Sequence, residues 1–228
     1  MESLPLSPRP HVLLRATNVT KVFGGTLALW DVKLDARSGE LIALHGANGS
    51  GKSTLLRILA GLMAPTRGRV THTTDDPGRR TRVAYLGHAT HLFDELTAIE
   101  NVALAARLAR QDPEVAVTIL DALGVSRYGG RRVAALSAGT RRRVGLARAL
   151  ATDPDIVLAD EPLAGLDDDA ADLVGRVLAR VRDGGRLVVL ATHDEGRSVA
   201  LATRAVRLEQ GRISEQDARA RPRGSHVV

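Results

Sequence analysis

Short continuous apolar runs alternate along this chain with longer amphipathic stretches, the pattern of a parallel sheet covered on both faces by helices. Glu40–His45, Asp155–Ala159 and Arg186–Ala191 read as buried strands, and Val12–Thr17, Leu29–Leu34 and Arg82–Gly87 as further ones, with Phe23-Gly24-Gly25 turning the chain between the first two. Over Lys52–Leu62, Leu55, Leu56, Leu59 and Leu62 recur at helical spacing until Pro65 and Gly68 break the pattern. The polar stretch Thr71–Thr81 reads as a loop or hairpin tip. Thr97 with Glu100 forms a capping box for a helix to about Arg110, and Asp112-Pro113 supplies the N-cap and first turn of another that Gly124 ends. Ser137 is the N-cap of a helix to about Leu150, and Ala170–Arg182 is a further helix. Residues 94–152 therefore form a helical insertion between two blocks of strands. Residues 1–10, with three prolines and two serines, read as a disordered lead-in, and the last dozen or so residues lack a core pattern.

The chemistry lies where strands give way to turns. Gly46-Ala47-Asn48-Gly49-Ser50-Gly51-Lys52-Ser53 satisfies the pattern G-x-x-x-x-G-K-[ST], and its flanks are a strand and a helix. Such a loop points backbone N–H groups and a helix N-terminus at a β-phosphate. Lys52 then reaches the β- and γ-phosphates, and the Ser53 hydroxyl can ligate Mg²⁺. An ordinary glycine-rich turn is the bland alternative. Asp160 and Glu161 end the apolar run from Ile156, at the strand end where open α/β sheets bind ligands. There Asp160 suits Mg²⁺ and Glu161 suits orienting and deprotonating an attacking water. Adjacent acids at a strand end are otherwise commonplace and merely solvated; the upstream loop favours function here. Ser137, as an N-cap, directs its hydroxyl and the Ala138 and Gly139 amides at an anion, or is a cap and nothing more.

Composition narrows the partners. The 228 residues suffice for one α/β domain with a subdomain, and too few for two such cassettes in tandem. No cysteine is present, which rules out disulfides and thiolate metal sites, and the lack of a charged-then-apolar leader argues against secretion, so a cytoplasmic location is expected. No apolar run approaches the roughly twenty residues that span a bilayer, so a membrane role requires a partner subunit. The net charge of +6 invites a nucleic-acid reading, but only Lys21, Lys33 and Lys52 are lysines among 32 basic residues spread along the chain, and aromatics are 2%. Without stacking platforms, no nucleic-acid partner is expected. Arg79-Arg80, Arg131-Arg132 and Arg141-Arg142-Arg143 read as solvated faces, the last able to meet an acidic partner.

These residues, in this order with Leu136-Ser137-Ala138-Gly139, resemble the ATP-binding cassette (ABC) transporter ATPases from about Val12 to Ile213. The resemblance implies an α/β P-loop NTPase fold with a RecA-like parallel-sheet core, an N-terminal antiparallel β subdomain and a helical insertion subdomain. The expected divisions are a lead-in over 1–10, the ATP-binding core with its β subdomain over 11–93, the helical signature subdomain over 94–152, the rest of the core over 153–213 and a flexible tail over 214–228. By similarity Phe23 stacks on adenine, Gly46 to Thr54 is the Walker A loop, Asp160 and Glu161 are the Walker B pair, Leu166-Asp167 is the D-loop and His193 is the switch histidine. Read alone, Phe23 suits core packing equally well, and His193 suits a capped strand end. The family further implies ATP and Mg²⁺ as cofactors and a head-to-tail homodimer that sandwiches two ATP molecules between Walker A and signature surfaces. It also implies transmembrane permease subunits, which the ATPase serves at the cytoplasmic face of the membrane.

The chain departs from the family pattern at two places. Ala138 and Thr140 replace the third and fifth residues of the usual Leu-Ser-Gly-Gly-Gln, leaving the hydroxyl and the second glycine in place, so activity is expected to survive. His88 occupies the position of the Q-loop glutamine that couples Mg²⁺ to the transmembrane partner. A neutral imidazole can ligate a metal or hold a water and a protonated one cannot, which would make coupling pH-sensitive; alternatively, His88 is a spacer contacting only the partner. Gly87-His88, Leu96-Thr97-Ala98-Ile99-Glu100-Asn101, the Leu-Ser-Ala-Gly signature and Arg141-Arg142-Arg143-Val144 look most like the haem exporter ATPase of cytochrome c maturation (CcmA type). The expectation is thus the ATPase subunit of a membrane exporter. The rivals are a transporter ATPase with another cargo, a soluble ABC ATPase acting on ribosomes or DNA, and a P-loop small-molecule kinase.

Overall fold

The computed structural model describes residues 4, 10–76 and 78–217. In chain order the strands are β1 (Val12–Phe23), β2 (Thr26–Arg37), β3 (Leu41–His45), β4 (Arg67–Thr74), β5 (Val83–Leu86), β6 (Ile156–Asp160), β7 (Leu187–Thr192), β8 (Arg204–Glu209) and β9 (Arg212–Asp217). The helices are α1 (Lys52–Leu59), α2 (Ala98–Leu108), α3 (Val115–Ala122), α4 (Ala138–Leu150), α5 (Asp168–Asp183) and α6 (Glu195–Leu201).

Every residue of β3, β6 and β7 is buried, as the continuous apolar runs require. They form the middle of a six-stranded sheet with the order β5-β6-β7-β3-β8-β9, parallel from β5 to β8 and closed by an antiparallel β9. Period-two alternation divides each central strand between two cores. Leu41, Ala43, Val157, Ala159, Val188 and Leu190 pack on apolar residues of α2, α3, α4 and α5. Ile42, Leu44, Ile156, Leu158, Leu187 and Val189 pack on α1 and on the three-stranded antiparallel sheet β2-β1-β4. The expected fold class is therefore the one observed.

Several local expectations are corrected. Thr71–Thr74 continues β4 and pairs with Val12–Arg15 of β1, because its alternating polar face is solvated while β1 supplies its ladder; the loop begins only at Asp75. Helix α1 stops at Leu59, with Gly61 at φ +72 and Leu62 N–H reaching Arg57 O at 2.9 Å, so a left-handed C-cap ends it before Pro65. Helix α3 starts at Val115, and Asp112 Oδ1 accepts the Glu114 N–H at 2.9 Å in a turn that precedes the helix instead of capping it. Strands β8 and β9 escaped the sequence reading, and β9 runs to Asp217 within the segment expected to be tail. Of the expected lead-in, Leu4 is buried against the helix-facing core, and residues 1–3 and 5–9 lie outside the described residues, as do 218–228 of the tail.

The N-terminal ends of β6 and β7 are fastened by a buried ion pair. Arg186, fully buried, donates to Asp153 Oδ1 at 2.7 Å, Pro154 O at 3.1 Å and Gly184 O at 3.0 Å. Removing the carboxylate leaves a guanidinium charge in the interior, a change that costs about 3–5 kcal/mol when one partner of such a pair is deleted. Asp153→Ala is therefore expected to lower the unfolding free energy by an amount in that range, read in urea unfolding as a lower midpoint at unchanged m-value.

Candidate functional site

Gly46 follows β3 directly, and the loop to Gly51 wraps into the first turn of α1. Space, as much as flexibility, dictates the glycines. A Cβ on Gly46 would lie 2.2 Å from Leu208 O and 2.6 Å from Ser50 Oγ, and one on Gly51 would lie 2.7 Å from Ala28 O; both residues have positive φ, +153° and +105°. The loop is closed on itself by Ser50 N–H donating to Ala47 O at 3.1 Å. Lys52 is buried, and its ammonium donates to Gly46 O at 2.7 Å and Ala47 O at 3.1 Å, which curls the side chain back over the loop. Beside it opens a cavity of about 360 Å³ lined by Asn48, Gly49, Gly51, Lys52, Ser53, Thr54, His88, Asp160, Glu161 and Ala28. Four separate parts of the chain thus converge there, and nine of those ten residues were singled out from sequence.

The acidic pair stands at the C-terminal end of β6. Asp160 is buried and Glu161 turns the chain with φ +51°, its N–H donating to Ala191 O at 2.8 Å. Its carboxylate is held by the end of β7: Oε1 accepts the His193 N–H at 3.0 Å and lies 2.9 Å from His193 Nδ1, and Oε2 accepts from Thr192 Oγ1 at 3.1 Å. His193 reaches the site through Glu161, with its ring well exposed. From the other side Arg142 of α4 donates to Gly87 O at 3.3 Å, His88 O at 3.1 Å and Glu161 O at 2.6 Å, and also to Asp160 O. Burial pulls the Arg142 pKa below its ordinary value, opposed by the negative charge of Asp160 and Glu161.

Some expected site residues lie elsewhere. Gly46, Ala47 and Ser50 line a second cavity of about 760 Å³, shared with residues of β8 and β9 such as Arg207 and Arg212, and Asn48 and Gly49 line both. Phe23 is exposed at the tip of the β1–β2 hairpin with the Lys21 ammonium 4.9 Å from its ring centroid, outside the first cavity, although Ala28 of the same hairpin lines it. Ser137 caps α4, accepting the Thr140 N–H at 3.2 Å, and with Ala138 it is exposed. Neither they nor Gly139 line either cavity. Asp167 caps α5, accepting from Ala170 N–H at 2.8 Å; a Cβ on Gly139 would lie 3.4 Å from Gly165 O, so the two caps sit side by side on one surface.

Sequence reasoning missed Thr192 and misread two arginines as solvated. Arg79 pairs with buried Asp155 at 2.8 Å, and Arg142 is buried. The signal for Arg142 was present, since it shares a helical stripe with buried Gly145, Leu146 and Ala149. Of its neighbours, Arg141 pairs with Asp94 at 3.3 Å and Arg143 donates to Leu123 O at 3.2 Å.

Comparison with known proteins bears on this geometry. The model of the ABC transporter family matches residues 29–164. The sulfate/thiosulfate import ATP-binding protein CysA 2 of Rhizobium meliloti (strain 1021) is 39% identical over 215 residues, 89% of this chain and 59% of that protein. The aliphatic sulfonates import ATP-binding protein SsuB 1 of Agrobacterium fabrum (strain C58 / ATCC 33970) is 40% identical over 200 residues, 86% of this chain and 71% of that protein. The chain spans about three-fifths of the length of the sulfate/thiosulfate relatives, 59% of one and 62% of another. Among solved structures, a dimeric ATP-binding cassette in a post-hydrolysis state bound to ADP and Pi superposes with a TM-score of 0.81 at 30% identity, over 92% of this chain and 99% of that one. With an ordered set of motifs, a fold and a length of sequence all in agreement, the chain belongs to the ABC transporter family.

Proposed function

We propose that this chain is the ATP-hydrolysing, nucleotide-binding subunit of a membrane ABC transporter. The observation that carries the reading is the single cavity in which the phosphate loop meets Asp160 and Glu161. The loop amides and the N-terminus of α1 bind the phosphates, and Lys52 exchanges its two loop carbonyls for phosphate oxygens. Ser53 and Asp160 offer hard oxygen donors in that cavity, which fits Mg²⁺, an ion that takes one or two carboxylates plus phosphates and keeps several waters. When bound, it neutralises charge on the β- and γ-phosphate oxygens. Glu161, oriented by Thr192 and by His193 N–H, accepts the proton of the attacking water. Phe23 is assigned to the base, where it stacks at the hairpin tip.

The caps at Ser137 and Asp167 lie outside the cavity, so in this reading they act on the nucleotide held by a second copy. Two chains arranged head to tail would each complete the other's site, and the similar cassette that is dimeric with ADP and Pi supports the dimeric state of this reading. No helix among the described residues is long and apolar enough to cross a membrane. In this reading permease subunits supply the membrane path, and this chain is peripheral at the cytoplasmic face. We place their contact around His88 to Asn101, where Phe93 is exposed and Asp94 and Glu95 stand on the surface. His88 lines the cavity and its carbonyl is bonded to Arg142; in this reading it stands between nucleotide and partner as metal ligand, water holder or spacer.

Two cargo readings compete. Short motifs around His88 and Ser137 resemble the haem exporter of cytochrome c maturation. The named relatives are import ATPases for sulfate, thiosulfate and aliphatic sulfonates, and their likeness runs over 200 residues or more. Extent of similarity favours import, and haem export draws no support from those relatives. Cargo is chosen in the membrane subunits under either reading.

The carboxylate assignment is tested with Glu161→Gln, which is expected to bind ATP with near wild-type affinity, lose hydrolysis by at least about 100-fold and accumulate as a closed dimer on size-exclusion chromatography; wild-type turnover would remove Glu161 from its role. The partner surface is tested by the double reversal Asp94→Lys with Glu95→Lys. The ion pairs lost, to Arg141 and Arg132, are exposed and contribute little to folding. An unchanged thermal melt together with lost co-purification of permease subunits is expected, and intact co-purification would place the contact elsewhere.

A further inference from the structure

Arg142 is the middle residue of three consecutive arginines, and of the three it alone is buried. Its guanidinium collects four main-chain oxygens, Gly87 O and His88 O from the chain leaving β5, and Asp160 O and Glu161 O from the end of β6. These two strands are neighbours, and the arginine straddles the gap between their C-terminal ends. Its own helix begins at the Ser137 cap, and the helix packs closely on the loop after β5: a Cβ on Gly145 would lie 3.0 Å from Thr90. A single side chain therefore ties together the three segments that carry Ser137, His88 and Glu161.

The residue type follows from that geometry. Two loops are reached at once only by a planar fork with several N–H donors; a lysine ammonium is a point donor on a flexible stem and cannot span both. Glu161 needs the restraint, because a non-glycine residue at φ +51° persists only where its surroundings fix it. Its N–H is held by Ala191 O and its C=O by Arg142, so the peptide is pinned at both ends while the carboxylate projects toward the cavity. The buried positive charge also stands behind two carboxylates with which it interacts electrostatically.

We propose that Arg142 is a positioning residue for the hydrolytic step: it fixes the main chain at Glu161, and hence the carboxylate's approach to the attacking water, and it locks that main chain to the His88 loop and to the helix presenting Ser137. The inference rests on the reading of Glu161 as the base for ATP hydrolysis. It assigns Arg142 no contact with nucleotide, so nucleotide affinity should stay while turnover falls.

The test measures kcat, KM for ATP and ADP affinity for the full chain carrying Arg142→Gln or Arg142→Lys, each alone and combined with Glu161→Gln, with a thermal melt for every variant. Arg142→Gln is expected to lose about 10- to 100-fold in kcat, the scale of a small misplacement of a reacting group, with KM and ADP affinity within about threefold of wild type. Arg142→Lys, which keeps the charge and loses the fork, should fall by a similar factor. In the Glu161→Gln background either change should cost less than about twofold more, because residues acting through one another are not additive. Turnover within about twofold of wild type in a folded variant would overturn the proposal, and so would a loss that multiplies with that of Glu161→Gln. If Arg142→Gln does not melt cooperatively, Arg142→Lys carries the same comparison. Wild-type turnover in Glu161→Gln alone would overturn the assignment of the base, and it is read without any Arg142 variant.

Discussion

The register between β3, β7 and β6 is the constraint on which the rest of the molecule depends. His45 stands opposite Thr192, and Ala191 stands opposite both Leu44 and Asp160, so three parallel strands end at one level. The residues that leave those ends are Gly46 with the phosphate loop, Glu161 with the acidic pair, and His193. A slip of one residue in either pairing would move the carboxylates relative to the loop and would also exchange the two faces of a strand whose side chains are committed to different cores. Packing and chemistry therefore enforce the same alignment. The buried Arg186–Asp153 pair secures the opposite ends of β6 and β7, where no ligand group is needed.

The site is built in layers of decreasing burial. Lys52 and Asp160 are buried, Glu161 is half-buried, and His88 and Ser53 are exposed to the cavity. Groups that stay in place are paid for by the core, while those that meet water or a partner lie on top. Ser137 and Asp167 belong to a different surface, each already satisfied as a helix cap. In the proposed dimer those caps keep their folding role and gain a second one, because an N-cap leaves neighbouring amides directed outward at an anion.

Much of this was legible in the sequence, for reasons that differ from residue to residue. The loop, the acidic pair and the central strands were readable because their constraints are local: a Cβ-free backbone, a buried period-two run, a carboxylate at its end. Ser137 and Thr97 were readable as caps because a capping side chain acts within its own first turn. For Arg142 the helical stripe gave its burial but not its role, since its partners are about 18 and 55 residues away in sequence and an arginine triplet looks solvated on composition alone. Strands β8 and β9 were missed for a similar reason. Their residues are polar and basic on one face, and it is pairing of β8 with β3 and of β9 with β8 that makes them strands. Thr71–Thr74 failed in the same way, its threonines paired with β1 across the small sheet.

In the proposed dimer, Ser137 of a second copy acts on the nucleotide held at the phosphate loop of the first. Mixing two inactive chains tests this most directly: one carrying Lys52→Ala, defective in the loop, and one carrying Ser137→Arg, defective in the cap. In their mixed dimer one site keeps an intact Lys52 from one chain and an intact Ser137 from the other. ATP hydrolysis that rises well above either variant alone is the predicted result; a mixture as inactive as its components would contradict a site shared between two copies.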